Sequence, residues 1–228
     1  MLRIYMSISE QTINNANYVP TKSHVFCMIK NSKLIERGYT VLKIITGTAK
    51  GKVLKTLEGD ATRPTSERIK EAMFSSIQFD IENRRVLDLF AGCGQLGLEA
   101  LSRGAESVMY IDSSREAMEI VKENVKRIGF EKQCHYLVSD WRNYIRKFAG
   151  SVSFDLVFID PPYAMECCAD AMRRLADSRL LAKGALVVCE SGTEKINPEL
   201  FSDFELTKNR EYGKKTALNI FIYRGGED

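Results

Sequence analysis

Two stretches of this 228-residue sequence bring together residue types that do chemistry. In FDLVFIDPPYA, Asp160, Pro161, Pro162 and Tyr163 follow an apolar run. Consecutive prolines fix φ and remove two backbone donors. What remains is a stiff loop that presents carbonyl acceptors, a carboxylate and a phenol ring. That set suits an exocyclic amine on a flat base: Asp160 and the Pro161 carbonyl accept its two N–H protons, and Tyr163 stacks on the ring, worth about 1–3 kcal/mol. In VLDLFAGCGQLGLEAL, Gly92-x-Gly94-x-x-Gly97 joins a strand to a helix, the literal dinucleotide pattern in its expected context. Asp112, at the end of the next strand, is placed to hold ribose hydroxyls. Taken alone, this turn serves an NAD(P) enzyme as well as an S-adenosylmethionine (SAM) enzyme. Asp88, inside the first strand, tilts the choice. A buried carboxylate opposes an anionic pyrophosphate and favours a ligand that carries a sulfonium and an ammonium.

Other chemistries find little support. The six cysteines form no C-x-x-C pair, and with two histidines no zinc spacing can be built. Cys134 and Cys189 sit in apolar runs as small hydrophobes. Cys93 lies in the glycine turn, but no histidine stands near in sequence to activate it. The thiol usage is that of a reducing compartment, and a cytoplasmic protein is expected. No apolar run approaches the roughly 20 residues of a membrane span. The net charge of +3 resides in residues 1–40, and the remainder is balanced. Any nucleic-acid footprint must therefore be local, and Lys43, Lys50, Lys52 and Lys55 form one such cluster with no acid between them.

The elements that must position these residues alternate. Residues 1–40 are polar, Asn-rich and without period, and read as a leader or the product of an upstream start. Val41–Ile45 and Val53–Leu57 flank a Gly/Lys turn and predict a β-hairpin. A helix follows, with Thr65 or Ser66 as its cap. Strands are expected at Val86–Phe90, Ser107–Ile111, Gln133–Val138, Phe154–Ile159 and Ala185–Glu190. Helices are expected at Gln95–Arg103, Glu116–Ile128, Trp141–Phe148 and Glu166–Leu180, with Phe204–Leu206 and Ala217–Tyr223 as a closing antiparallel pair. Repeated βα units imply a parallel sheet covered on both faces. Ligands of such sheets bind outside the carboxyl ends of the strands, so Asp160 and the glycine turn belong to one crevice.

The motifs GTAKGKVL, TRPTSERIKEAMFSSI, VLDLFAGCGQLGLEALSRGA, FDLVFIDPPY and YG-x-x-T, in this order, resemble those of the bacterial 16S rRNA guanine-N2 methyltransferase family of the RsmD type. These are amino-methyltransferases with a D/N-P-P-Y/F loop, a loop that has no place in hydride transfer. The resemblance runs from about Leu42 to Tyr223. It implies a Rossmann-like class I methyltransferase fold: a mostly parallel, doubly wound sheet with an antiparallel closing strand and an N-terminal β-hairpin. Residues 84–228 would form the methyltransferase domain and 41–83 an RNA-facing hairpin and helix. It implies SAM as cofactor, held by Asp88, Phe90, Ala91, Gly92, Cys93, Gly94, Asp112, Ser113, Asp140 and Trp141, with Arg63 and Thr65 over its methionine end. Asp140 also stands where a helix cap belongs, and Trp141 is the sort of residue a core would use. The catalytic loop would be Asp160, Pro161, Pro162 and Tyr163, and the RNA contacts Lys50, Lys52, Lys55 and Arg68. The implied partner is 16S rRNA in an assembling small subunit, methylated at guanine 966 by a monomer that needs no metal and no membrane. The family usually carries arginine where this chain has Lys50 and Lys52, and residues 1–40 have no counterpart in it. An adenine-N6 methyltransferase of DNA or RNA using the same loop, and an NAD(P)-binding oxidoreductase, are the competing readings.

Overall fold

The computed structural model of the chain describes residues 42–57, 64–213 and 216–225. The leader, Val41 and Arg63 lie outside the described residues, as do the side chains of Thr65 and Tyr163. One seven-stranded sheet has the order β3-β2-β1-β4-β5-β7-β6. Strands β1 (Arg85–Asp88), β2 (Ser107–Asp112), β3 (Cys134–Val138), β4 (Phe154–Ile159) and β5 (Leu181–Ser191) run parallel. The closing pair, β6 (Phe204–Tyr212) and β7 (Thr216–Tyr223), is antiparallel, with β7 against β5. This is the expected class I methyltransferase fold.

Parallel strands buried on both faces read as near-continuous apolar runs, and side chains alternate between two clusters. Val86, Val108, Leu156, Phe158, Leu186 and Val188 face α1 (Pro64–Ser76), α2 (Gln95–Ser102) and α3 (Arg115–Ile128). Leu87, Ile111, Val157, Ile159 and Val187 face α4 (Trp141–Phe148) and α5 (Cys168–Asp177). Among the described residues no helix is long and apolar enough to cross a membrane.

The structure departs from expectation where tertiary contacts override local signals. Helix α1 begins at Pro64, so Thr65 and Ser66 lie in its first turn and not at its cap; proline suits the first helical position, whose N–H has no partner anyway. Helix α5 starts only at Cys168, because Tyr163–Met165 makes a separate short 3-10 turn. Strand β5 reaches back to Leu181 through Lys183 and Gly184, with a register shift against β4. Strand β6 continues through Lys208, Asn209, Arg210 and Glu211, a charged run typical of an edge.

The hairpin is smaller than its two apolar runs suggested. It has one antiparallel bridge, Lys43 to Val53, flanked by Ile44 N to Lys52 O (3.0 Å) and Leu54 N to Leu42 O (2.9 Å). Its apolar residues Leu42, Ile44, Ala49 and Leu54 plug into the same core as α1, α2 and β1 instead of extending a ladder.

Candidate active site

The strand order reverses between β1 and β4, and the crevice opens there. Leu89 N still donates to Phe158 O of β4 (3.1 Å), whereas Ala91 N donates across to Ile111 O of β2 (2.9 Å). The chain thus swings away from β4 as it enters the glycine turn. At Gly92, φ is +54°, and no atom lies within 4 Å of where a Cβ would stand. The turn is an open backbone cradle. Gly97 serves a different purpose: a Cβ there would meet the Tyr110 ring at 2.4 Å, so glycine lets α2 lie directly on β2.

Carboxylates organise the turn. Asp112 accepts Gly92 N and Ser114 N, each at 2.8 Å. Each oxygen keeps a second lone pair for a hydroxyl. Ser114, not the exposed Ser113, caps α3, accepting Ala117 N at 3.1 Å. Asp88 is fully buried and accepts Gly97 N at 3.1 Å, so it caps α2 from within the strand. Burial pushes its carboxyl up to about 7; the Gly97 N–H opposes the shift and the Asp112 charge adds to it. Asp88 therefore holds its proton more tightly than an ordinary carboxyl, and the turn is less negative than the sequence suggested.

Asp160 follows the last residue of β4, and its carboxyl is raised well above the ordinary carboxylate range. Burial is the first cause, followed by the charges of Glu190 and Asp88. Pro161 is buried and Pro162 exposed; the Pro162 carbonyl accepts Met165 N at 2.8 Å and closes the turn that begins at Tyr163. Two acids anchor the far end of this loop. Glu194 accepts Cys168 N (2.8 Å) and Ala169 N (2.9 Å), and Glu166 accepts the Thr193 hydroxyl.

The structure thus brings Asp88, Phe90, Ala91, Gly92, Cys93, Gly94, Asp112 and Asp160 to one end of the sheet. Burial pushes the Cys93 thiol up to about 11, which suits a packing role. Asp140 is exposed, and its Oδ1 accepts Arg142 N (2.9 Å) and Asn143 N (3.2 Å) as the cap of α4. Trp141 is buried in the core beside Phe90, at 6.1 Å between ring centroids, under the Arg142 guanidinium. Its indole Nε1 is buried without a hydrogen-bond partner.

The hairpin lysines are exposed, as is Arg68. Lys55, however, pairs with Glu123 at 2.5 Å and is not the unopposed cation expected of it.

Several residues escaped sequence reasoning. Glu99 accepts Ile45 N (2.7 Å) and Thr46 N (3.1 Å) while pairing with Arg103, and clamps the hairpin onto α2. Buried Lys70 donates to Lys43 O at 3.1 Å, and desolvation lowers its pKa. Asn124 of α3 accepts Lys55 N (2.8 Å) and donates to Lys55 O (2.9 Å) and Cys93 O (3.0 Å), tying hairpin and glycine turn together. A signal existed: Asn124 interrupts the apolar face of Ile120, Val121 and Val125. Glu190, next to last in β5, lies near the carboxyl end of an apolar strand, as do Asp112 at the end of β2 and Asp160 just past β4.

The residues fit SAM: an open backbone cradle, a ribose acceptor, and acids beside the place for a cationic centre. Fold and site together define a SAM-dependent methyltransferase of class I. More narrowly, the chain belongs to the family described as conserved hypothetical protein 95, the RsmD family, whose model matches residues 42–221. It is 33% identical over 185 residues to YlbH of Bacillus subtilis, covering 81% of this chain and 100% of that one. It is 30% identical to ribosomal RNA small subunit methyltransferase D of Haemophilus influenzae, over 69% of this chain and 83% of that one. The solved structure of the Escherichia coli protein yhhF superposes with a TM-score of 0.72 at 26% identity, covering 82% of this chain and all of that one.

Proposed function

We propose that this protein transfers a methyl group from SAM to the exocyclic N2 amine of a guanine in small-subunit rRNA. One juxtaposition carries the reading: the Asp160–Tyr163 loop and the glycine turn flank the same switch point, β4 beside β1. The name of the Haemophilus relative supports the RNA.

When bound, SAM supplies an electrophilic methyl group; the protein's residues do the rest. The guanine amine is a poor nucleophile because its lone pair is delocalised into the ring. It is also far too weak an acid for Asp160 to deprotonate beforehand. The useful work is geometric. Asp160 and the Pro161 carbonyl accept the amine's two N–H bonds and aim the lone pair, and such positioning can supply several kcal/mol. As the nitrogen becomes cationic, ionised Asp160 stabilises that charge, and the proton leaves late. The base must be turned out of any stack to reach the crevice. The hairpin lysines hold RNA phosphates.

The test is methylation with tritiated SAM of naked 16S rRNA, assembled small subunits and DNA, followed by nucleoside analysis. N2-methylguanosine in rRNA is expected; N6-methyladenosine as the sole product, or label in DNA alone, would overturn the reading.

A further inference from the structure

Asp160 has a companion. The β4–β5 register pairs Ile159 with Cys189, so Asp160 and Glu190 stand side by side, one residue further along adjacent strands. Alternate side chains of a strand share a face. Leu156 and Phe158 on β4, and Leu186 and Val188 on β5, all enter the cluster beneath α1, α2 and α3. Asp160 and Glu190 continue those two rows at the open end of the sheet. Glu190 is buried, and its cross-strand neighbour on β7 is Leu218. The influence of its charge on Asp160 agrees with this closeness.

A single carboxylate could orient the amine of guanine or of adenine. Two in a row distinguish them. Beside its amine, guanine presents N1–H, a second donor; adenine presents the N1 lone pair. We propose that Glu190 is the specificity-determining residue that accepts N1–H of the guanine whose N2 amine Asp160 holds. This rests on the guanine-N2 reading above. Adenine would set its lone pair against a buried carboxylate, and a site built around a hydrogen bond rejects an analogue that cannot make it.

The experiment changes the base edge that Glu190 would meet. The target guanine is first mapped with the full chain on assembled small subunits. Subunits are then reconstituted with 2-aminopurine at that position, which keeps the N2 amine, replaces N1–H by a lone pair and drops the O6 carbonyl. The loss of O6 is common to all the proteins compared, so the change in ratio on substituting Glu190 reads the N1 contact. The unaltered protein is expected to methylate guanine roughly 10- to 100-fold faster than 2-aminopurine, the discrimination a well-matched contact to a base edge supplies. Glu190→Ala should slow the guanine reaction and collapse this ratio. Glu190→Gln preserves size, and its amide can turn an N–H toward the lone pair. It should raise the rate on 2-aminopurine above that of the unaltered protein, a gain that a merely structural role does not produce. Both variants should bind SAM as before. A ratio unchanged by both substitutions overturns the role of Glu190 and leaves guanine-N2 methylation standing. Failure of the unaltered protein to methylate any guanine overturns the reading beneath it.

Discussion

Replacing Asn124 by alanine tests whether the hairpin holds the cofactor turn in place. The side chain is almost wholly buried and makes three hydrogen bonds, two to the Lys55 backbone and one to the Cys93 carbonyl. Each such bond contributes about 1 kcal/mol net. The Lys55 groups are partly exposed and regain some water, so the loss should total about 2–3 kcal/mol. For a chain of this size that corresponds to a melting temperature lower by roughly 5–10 °C. SAM affinity should weaken about tenfold, or 1.4 kcal/mol, because the Cys93 carbonyl no longer fixes the turn. Asn124→Asp is nearly isosteric, yet at pH 8 it should be no better than alanine, since an anion would face two carbonyl oxygens. Urea denaturation and calorimetric SAM titration on the three proteins decide the matter. A stability change below about 0.5 kcal/mol, ordinary for an uninvolved surface position, together with unchanged SAM affinity, would refute the coupling.

Asp88 predicts a pH dependence of stability. Its folded-state pKa is raised from 3.8 to about 7, so the native state binds the proton more tightly than the unfolded chain and loses stability as pH climbs through that window. The cost at higher pH is of order 4 kcal/mol; Asp88→Asn should flatten the slope between these limits and weaken SAM binding, and an unaltered slope in denaturation curves would contradict it. Asp160→Ala should cut methyl transfer by about 10²–10³ while SAM still binds, and Asp160→Asn, which keeps an acceptor, should exceed it if orientation outweighs charge. Because Asp160 must be ionised to stabilise a cationic nitrogen and its pKa is raised, the single-turnover rate should rise with pH beyond the ordinary carboxylate range; a rate flat across that range, or full activity of Asp160→Ala, removes the loop from the mechanism. Lys50→Ala with Lys52→Ala should lower the salt slope of RNA binding by about 0.7–0.9 per lost phosphate contact, and Lys55→Ala should do less because Glu123 already neutralises it; equal effects in binding titrations would show otherwise.

Much of the candidate site was legible because its motifs are local in sequence. The Gly92–Gly97 turn and the Asp160–Tyr163 loop each carry their own backbone constraint, and the apolar runs that precede them, alternating with helices, read as buried parallel strands. What escaped notice depends on contacts between distant segments. Glu99 and Lys70 look like ordinary helical residues, and Asn124 like a lone polar break in an apolar face, until the hairpin, 27–69 positions away in sequence, supplies backbone groups to bond. Local signals also erred where packing prevailed: the hairpin runs became plugs in the core, and charged β6 was paired through β7 alone.

The sequence by itself determined the alternation of strands and helices, the glycine cradle and the stiff Asp160–Tyr163 loop, since periodicity, glycine and proline act over a few residues. Only the tertiary structure decided which acids share the crevice. Strand order and register set Asp160 beside Glu190 and near Asp88, and the burial that follows raises the pKa values of Asp88 and Asp160. Proton affinity depends on what surrounds a carboxyl in space, and no spacing along the chain records that.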